Sequence, residues 1–249
     1  MTIAGKVALV TGSTRGIGAA IARRFAAAGA RVAVHGRDEA ALATIRAELG
    51  RDTIAVTGDV TRWADVEAIR EHVEVALGPI EILVANAGGS FSRPVPIEQC
   101  TEDEWRASVD GNLTATFLAI KSVLPGMKER KHGVILTISS AAARRPHPQS
   151  PIAYACAKAG VELLTQNVAA QAGPFGVRAC CLAPETILTE RNLERIPAAT
   201  QALLIEKHPI RRLGMPDDVA AAALFLASDD AAWITGVVLD VAGGAVMMR

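Results

Sequence analysis

The run Val7-Ala8-Leu9-Val10-Thr11-Gly12-Ser13-Thr14-Arg15-Gly16-Ile17-Gly18 decides how the chain is read. Four apolar residues in succession predict a strand covered on both faces. Downstream, Ile17, Ile21 and Phe25 fall on one helix face, so the glycines fill a tight strand-to-helix turn. Glycine lets the backbone turn sharply there and approach a ligand closely. The helix that follows offers free N–H groups and a positive dipole end, which suit a phosphate. The spacing is G-x-x-x-G-x-G rather than G-x-G-x-x-G, so the turn alone does not name its ligand.

The same alternation continues along the chain. Further short apolar runs at Val32–Val34, Ile54–Val56, Ile82–Ala85, Val134–Ile138, Val177–Leu182 and Val237–Leu239 predict six more strands. Helical spacing separates them. Thr101 and Glu104 predict a capping box at the head of a long helix, and Pro216 opens another at a position where its missing N–H costs nothing. Strands joined by crossovers of a dozen residues or more predict an α/β fold with a doubly wound, seven-stranded parallel sheet. No linker or internal repeat divides residues 1–249, so one domain is expected. Leu188–Arg212 interrupts the alternation and is either a substrate-loop insertion or a plain surface helix pair.

Composition narrows the function. The chain carries 26 basic and 26 acidic residues, which speaks against a nucleic-acid partner. Its longest apolar run, Val219–Ala227, is far short of the roughly 18 residues of a membrane span. With no signal-peptide pattern at the start, a cytoplasmic protein is expected. Cys100, Cys156, Cys180 and Cys181 lack metal or dithiol spacing and are expected to be small buried thiols, with Cys180 and Cys181 pointing to opposite faces of a strand. No histidine spacing supports a metal site.

Several residues stand at predicted strand ends, the edge where such sheets bind ligands. After the second strand come Gly36 and Arg37, where a carboxylate would hold the ribose of NAD. Arg15 and Arg37 without that acid favour a 2′-phosphate, hence NADP over NAD. Asp38 is read as the cap of the next helix. Asp59-Val60 follows the third strand, and Asn86-Ala87-Gly88 the fourth. Asp59 is either an adenine acceptor or a turn residue, and Asn86 can brace the backbone between strands. Ser139-Ser140 ends the fifth strand, where a serine either bonds a substrate oxygen or caps local backbone. Asn112, after Asp110-Gly111 inside the long helix, marks a functional break or a harmless kink.

The chain has a single tyrosine, Tyr154, with Lys158 one helical turn later on the same face. A phenol with a pKa near 10 transfers protons poorly at neutral pH unless a neighbouring cation lowers that value. Taken together, Thr11–Gly18, Asp59, Asn86-Ala87-Gly88, Asn112, Ser140, Tyr154-x-x-x-Lys158 and Pro184…Thr189 resemble the short-chain dehydrogenase/reductase family in its compact branch, with the 3-oxoacyl-carrier-protein reductases as the nearest type.

That resemblance implies a Rossmann-type domain, an NADP(H)-linked conversion of a small carbonyl compound to a secondary alcohol, and a homotetramer. Tyr154 would be the general acid/base, Lys158 would lower its pKa and bind the nicotinamide ribose, and Ser140 would orient the reacting oxygen. Asn112 would hold a relay water. Gly12, Ser13, Thr14, Arg15, Gly16, Ile17, Gly18, Arg37, Asp59, Val60, Asn86, Ala87 and Gly88 would hold the cofactor. Pro184, Thr189 and the backbone of Ile187 would meet its nicotinamide end. An NAD-linked dehydrogenase of a sugar, steroid or other secondary alcohol is the alternative, and a catalytically silent nucleotide-binding scaffold the third reading.

Three departures from the family pattern stand out. Ser140 lies fourteen positions before Tyr154, one more than is usual, which places an extra residue within Ala141–Ala153. Pro184-Glu185 replaces Pro-Gly. The run Arg144-Arg145-Pro146-His147-Pro148 is basic and is read as a solvated charge run, with attraction of an anion as the alternative.

Overall fold

The computed structural model describes residues 2–148 and 150–247. Gln149, inside the stretch that holds the extra residue, lies outside the described residues. The chain runs β1 (Val7–Val10), α1 (Gly16–Ala27), β2 (Arg31–Gly36), α2 (Glu39–Leu49), β3 (Thr53–Thr57), α3 (Trp63–Leu77) and β4 (Ile82–Ala85). It continues through α4 (Glu102–Val109), α5 (Ala115–Glu129), β5 (Gly133–Ile138), α6 (Ala141–Arg144), α7 (Ile152–Ala172) and β6 (Val177–Pro184). It closes with α8 (Glu190–Arg195), α9 (Ala198–Lys207), α10 (Pro216–Ala227) and β7 (Val238–Val241).

The seven strands form one parallel sheet in the order β3-β2-β1-β4-β5-β6-β7. All seven expected strands are present, several a residue or two longer at their polar ends. β6 runs on through Pro184, which is paired only with Val241 of β7. β5 has already ended there, so the missing proline N–H leaves no gap in the ladder.

Continuous apolar strands are explained by the two layers that cover them. Ala8 and Val10 pack with Ile21, Phe25, Val219 and Ala223 of α1 and α10. Val7 and Leu9, on the opposite pleat, pack with Val73, Ile120, Met127 and Ala169 of α3, α5 and α7. Cys180 joins the first layer, while the Cys181 thiol faces Thr137 and Lys158 on the other side. The expectation of buried thiols fails at Cys156, which is exposed, and at Cys100, which is half-buried. Cys156 stands on the solvent side of α7, beside the inward-facing Ala153 and Ala157.

Local signals behave as their chemistry requires. Asp38 accepts from Ala41 N at 3.0 Å and caps α2. Thr101 and Glu104 form the capping box of α4. Pro216 is the first residue of α10. The long helix expected after Thr101 is broken by a π-helical turn at Asp110–Thr114, where Gly111 and Asn112 fall. The interrupting stretch Leu188–Arg212 forms α8 and α9. No helix among the described residues is long and apolar enough to cross a membrane.

Phe25 is fully buried between α1 and the sheet. Phe25→Ala is expected to destabilise the chain by about 3–5 kcal/mol, read as a lowered denaturation midpoint in urea.

Candidate active site

The sheet order reverses between β1 and β4, so the loops leaving these neighbouring strands open a crevice at their C-terminal ends. The two loops touch. A Cβ on Gly12, whose φ is +63°, would stand 2.9 Å from Ala87 Cα. Asn86 braces the contact, donating through Nδ2 to both Thr11 O and Gly12 O at 2.9 Å. The Thr11 hydroxyl accepts from the backbone N–H groups of Asn86 and Ala87 at 3.0 Å each. Gly18 is pressed against Gly12 O and the Asn86 amide, leaving no room for a side chain.

The rest of the loop is divided between anchoring and display. Ser13 is buried and donates to Val10 O at 2.8 Å. Arg15 is exposed at the head of α1 and Ile17 is half-buried. The Gly16 N–H meets Glu190 Oε2, from α8, at 3.2 Å. This helix-terminal amide thus already holds a carboxylate oxygen of the chain itself.

His35 is a site residue that sequence reading passed over. It is buried in β2. Its Nδ1 accepts from Gly12 N at 3.1 Å and its Nε2 meets Gly58 O at 3.1 Å. These partners call for the neutral ring with the proton on Nε2. Its backbone N–H also donates to Ser13 Oγ at 2.8 Å. The only sequence signal was a polar residue inside an otherwise apolar buried strand.

Other strand-end residues divide in the same way. Gly36 lies under Thr14, whose methyl group would stand 2.5 Å from a Cβ there. Arg37 is exposed. Asp59 Oδ1 accepts from Thr61 N at 2.9 Å and Thr61 Oγ1 at 2.7 Å, and these bonds hold its carboxyl below the usual range. Val60 packs on the α3 side of the core. Asn112 is fully buried. Its Oδ1 accepts from Gly89 N at 3.0 Å, while Nδ2 donates to Gly89 O at 3.0 Å and Ser108 O at 2.8 Å. The break in the helix therefore places an amide that grips the loop after β4, and Gly88 packs against that same oxygen.

Ser140, Tyr154 and Lys158 line one cleft of about 700 Å³, together with the glycine loop, Pro184, Ile187 and Thr189. Ser140 begins α6, and its hydroxyl accepts from Ala142 N at 3.2 Å while also hydrogen-bonding the Tyr154 phenol. Ser139 turns away from it, donating to Lys158 O at 3.1 Å and Glu162 Oε1 at 2.8 Å. Burial pushes the half-buried Tyr154 phenol up, while the Ser140 hydroxyl and the Arg191 guanidinium pull it down. Lys158 is only 4% exposed. Its Nζ donates to Ile138 O at 2.8 Å and stands 5.8 Å from the Tyr154 ring centre. Burial pushes this ammonium down to about 8. Two cations thus bear on the phenol: Arg191 from α8, and Lys158 over the ring, whose Nζ turns to the last carbonyl of β5.

The basic run departs from the solvated reading at Arg144 alone, while Arg145, Pro146, His147 and Pro148 are exposed as that reading has them. Arg144 is largely buried, bonding Glu162 of α7 at 3.2 Å and Asp240 of β7 at 3.1 Å. Arg145 donates to Ala245 O at 3.1 Å and lies 4.0 Å from Glu185. Thr189 caps α8 by accepting from Asn192 N at 3.3 Å. The Ile187 carbonyl accepts from Thr189 N at 2.9 Å and from Asn192 Nδ2 at 2.7 Å. His208 is buried and bonds Leu204 O at 2.7 Å.

His35→Leu is expected to strand the Gly12 N–H and to lower stability by about 1–3 kcal/mol, with weaker dinucleotide binding. Burial holds the His35 pKa below its ordinary value. The unfolded ring gains its proton near pH 6.5 while the folded one resists. Stability is therefore complete above that pH and falls as pH drops below it. Denaturation midpoints from pH 7 to 5 should show a flatter acid limb in the variant.

The match to known proteins is as extensive as the geometry suggests. The family model described as enoyl-(acyl carrier protein) reductase matches residues 12–246. A subunit of (2S)-[(R)-hydroxy(phenyl)methyl]succinyl-CoA dehydrogenase from Thauera aromatica is 37% identical, covering 98% of each chain. The 3-oxoacyl-[acyl-carrier-protein] reductase of Escherichia coli is 34% identical over the whole of both chains. The crystal structure of a 3-ketoacyl-(acyl-carrier-protein) reductase from Brucella melitensis, complexed with NADH, superposes with a TM-score of 0.91 at 34% identity, covering 99% of this chain and all of its own. With the glycine loop, the switch-point crevice and the Ser-Tyr-Lys cleft at one edge of the sheet, the chain belongs to the short-chain dehydrogenase/reductases, oxidoreductases that use a nicotinamide cofactor to interconvert carbonyls and alcohols.

Proposed function

We propose that the chain interconverts a small carbonyl compound and a secondary alcohol, with NADP(H) preferred over NAD(H) and Tyr154 as the proton donor and acceptor. The observation that carries this reading is the meeting of Ser140, Tyr154 and Lys158 with the glycine loop in one cleft. The residues present fit a dinucleotide: Gly12 and Gly18 leave space only for backbone, and Gly16 N–H already receives an anionic oxygen. When bound, the nicotinamide ring supplies or takes the hydride.

The chain supplies placement and a proton. In reduction, Tyr154 gives its phenolic proton to the substrate oxygen as the C–H bond forms, and in oxidation it takes that proton back. Ser140 donates a hydrogen bond to the same oxygen and sets its direction. Lys158, by leaving Ile138 O, brings an ammonium toward the phenolate and the ribose. Its pKa near 8 keeps it mostly charged at neutral pH. The side-chain amide of Asn112 bonds Gly89 and Ser108, so it positions the Gly88-Gly89 loop beside the cleft.

Preference for NADP rests on β2. Thr14 fills the place above Gly36 where an acid would take the ribose hydroxyl, and Arg37 follows, exposed at the strand end. Arg15 adds a second exposed guanidinium on the loop. A homo-oligomer is supported by Phe117 and Leu163, large apolar side chains exposed on α5 and α7.

A screen of ketones and alcohols with NADPH or NADP, followed at the nicotinamide absorbance, tests the reading. On any competent substrate, Tyr154→Phe should reduce turnover by about 10²–10⁴-fold and leave the NADPH dissociation constant within about twofold; full activity in that variant sinks the mechanism. Arg37→Ala should weaken NADPH by about tenfold or more and NADH hardly at all. Equal losses for both cofactors in a fluorescence titration remove Arg37 from the phosphate site.

A further inference from the structure

Two carboxylates and one arginine on the cleft wall are treated differently by the fold. Glu190 is bound by Gly16 N. Glu185 accepts from the Thr186 hydroxyl at 3.2 Å and lies 4.0 Å from Arg145. Arg191 lines the same cleft, half-buried, yet among the described residues it has no ion pair. Its one hydrogen bond is a long one, from Nη2 to Ser90 O at 3.4 Å. Burial, and then the cations Arg195 of its own helix and Arg15 of the glycine loop, press against its charge, while the Tyr154 phenol acts the other way. A half-buried guanidinium beside other cations and without a counterion favours the arrival of an anion.

The place of Arg191 separates two possible anions. The loop amide that receives an anionic oxygen is Gly16, and it is met by Glu190. Arg191 instead reaches toward Gly89-Ser90 in the loop after β4, with Nη1 3.5 Å from where a Gly89 Cβ would stand, and its charge is felt by the Tyr154 phenol. It therefore serves the reacting end of the cleft. Resting on the carbonyl–alcohol reading above, we propose that Arg191 receives a carboxylate of the substrate, so that this enzyme acts on an oxo acid and the matching hydroxy acid, with the carboxylate close to the reacting carbon. A planar guanidinium suits that group through paired N–H donors.

The test uses charge-matched pairs: acetoacetate with methyl acetoacetate, and levulinate with methyl levulinate, each reduced with NADPH by wild type, Arg191→Leu and Arg191→Lys. The acids should be favoured by wild type. Arg191→Leu should lose about ten- to a hundredfold in kcat/KM on the acids, mainly through KM. Losing the guanidinium also removes its pull on the Tyr154 phenol, so the esters slow as well, through kcat. The acid-to-ester ratio of kcat/KM is therefore the reading, and it should fall by about tenfold or more, while the NADPH dissociation constant stays within about twofold and Arg191→Lys restores part of the ratio. Equal losses on acid and ester would assign Arg191 a structural role and overturn the inference. So would a loss of NADPH affinity, which would give the guanidinium to the cofactor's diphosphate, or a wild-type preference for the esters. Calorimetric titration of the wild-type and Arg191→Leu complexes with NADP reads acid binding without turnover. Failure of every carbonyl in the screen defeats the redox reading, whereas acids that bind both complexes alike, or neither, defeat this one.

Discussion

The approach of two backbone segments at the switch point governs this molecule. Gly12 after β1 and Ala87 after β4 come within reach of van der Waals contact, and a single added methyl group at Gly12 would prevent it. Their polar groups are drawn partly out of water there and are met from within. The Asn86 amide takes two carbonyls, the Thr11 hydroxyl takes two N–H groups, and the His35 ring takes the Gly12 N–H. Each bond satisfies a backbone group that burial would otherwise penalise. The outcome is a stiff floor on which a dinucleotide can lie, and the crevice edge is placed by it.

The reacting end is held by a second network. Arg144 ties α6 to α7 and β7 through Glu162 and Asp240, and Glu162 also accepts from Ser139. This pins the turn that presents Ser140 to Tyr154. Tyr154 and Lys158 share one face of α7, which sets Lys158 under the end of β5 and Tyr154 beside Ser140, and burial moves both away from their ordinary protonation behaviour. The phenol is subject to opposing effects: burial raises its pKa, whereas a hydroxyl and a guanidinium lower it.

Much of this was legible in the residues. Seven apolar runs became seven strands because a sheet covered on both faces requires unbroken apolar strands. Thr101, Asp38 and Pro216 marked helix starts because capping chemistry is local. Asn112 was visible as an oddity, though not its grip on Gly89, which lies 23 residues away in sequence. Arg144 was misread because a run of arginines says nothing of carboxylates that arrive from α7 and β7. His35 was passed over for the same reason: its partners Gly12 and Gly58 come from other strand ends.

Sequence alone determined the alternation of elements, the glycine turn and the pairing of Tyr154 with Lys158, since each depends on periodicity or spacing within one element. Only the tertiary structure decided which cations have counterions, where Lys158 points and which amides hold the loops. Those are properties of burial and of contacts between distant segments. A charge costs little in water and much inside the fold, so the same arginine is a solvated side chain, an internal tie or a waiting site according to what the packing places beside it.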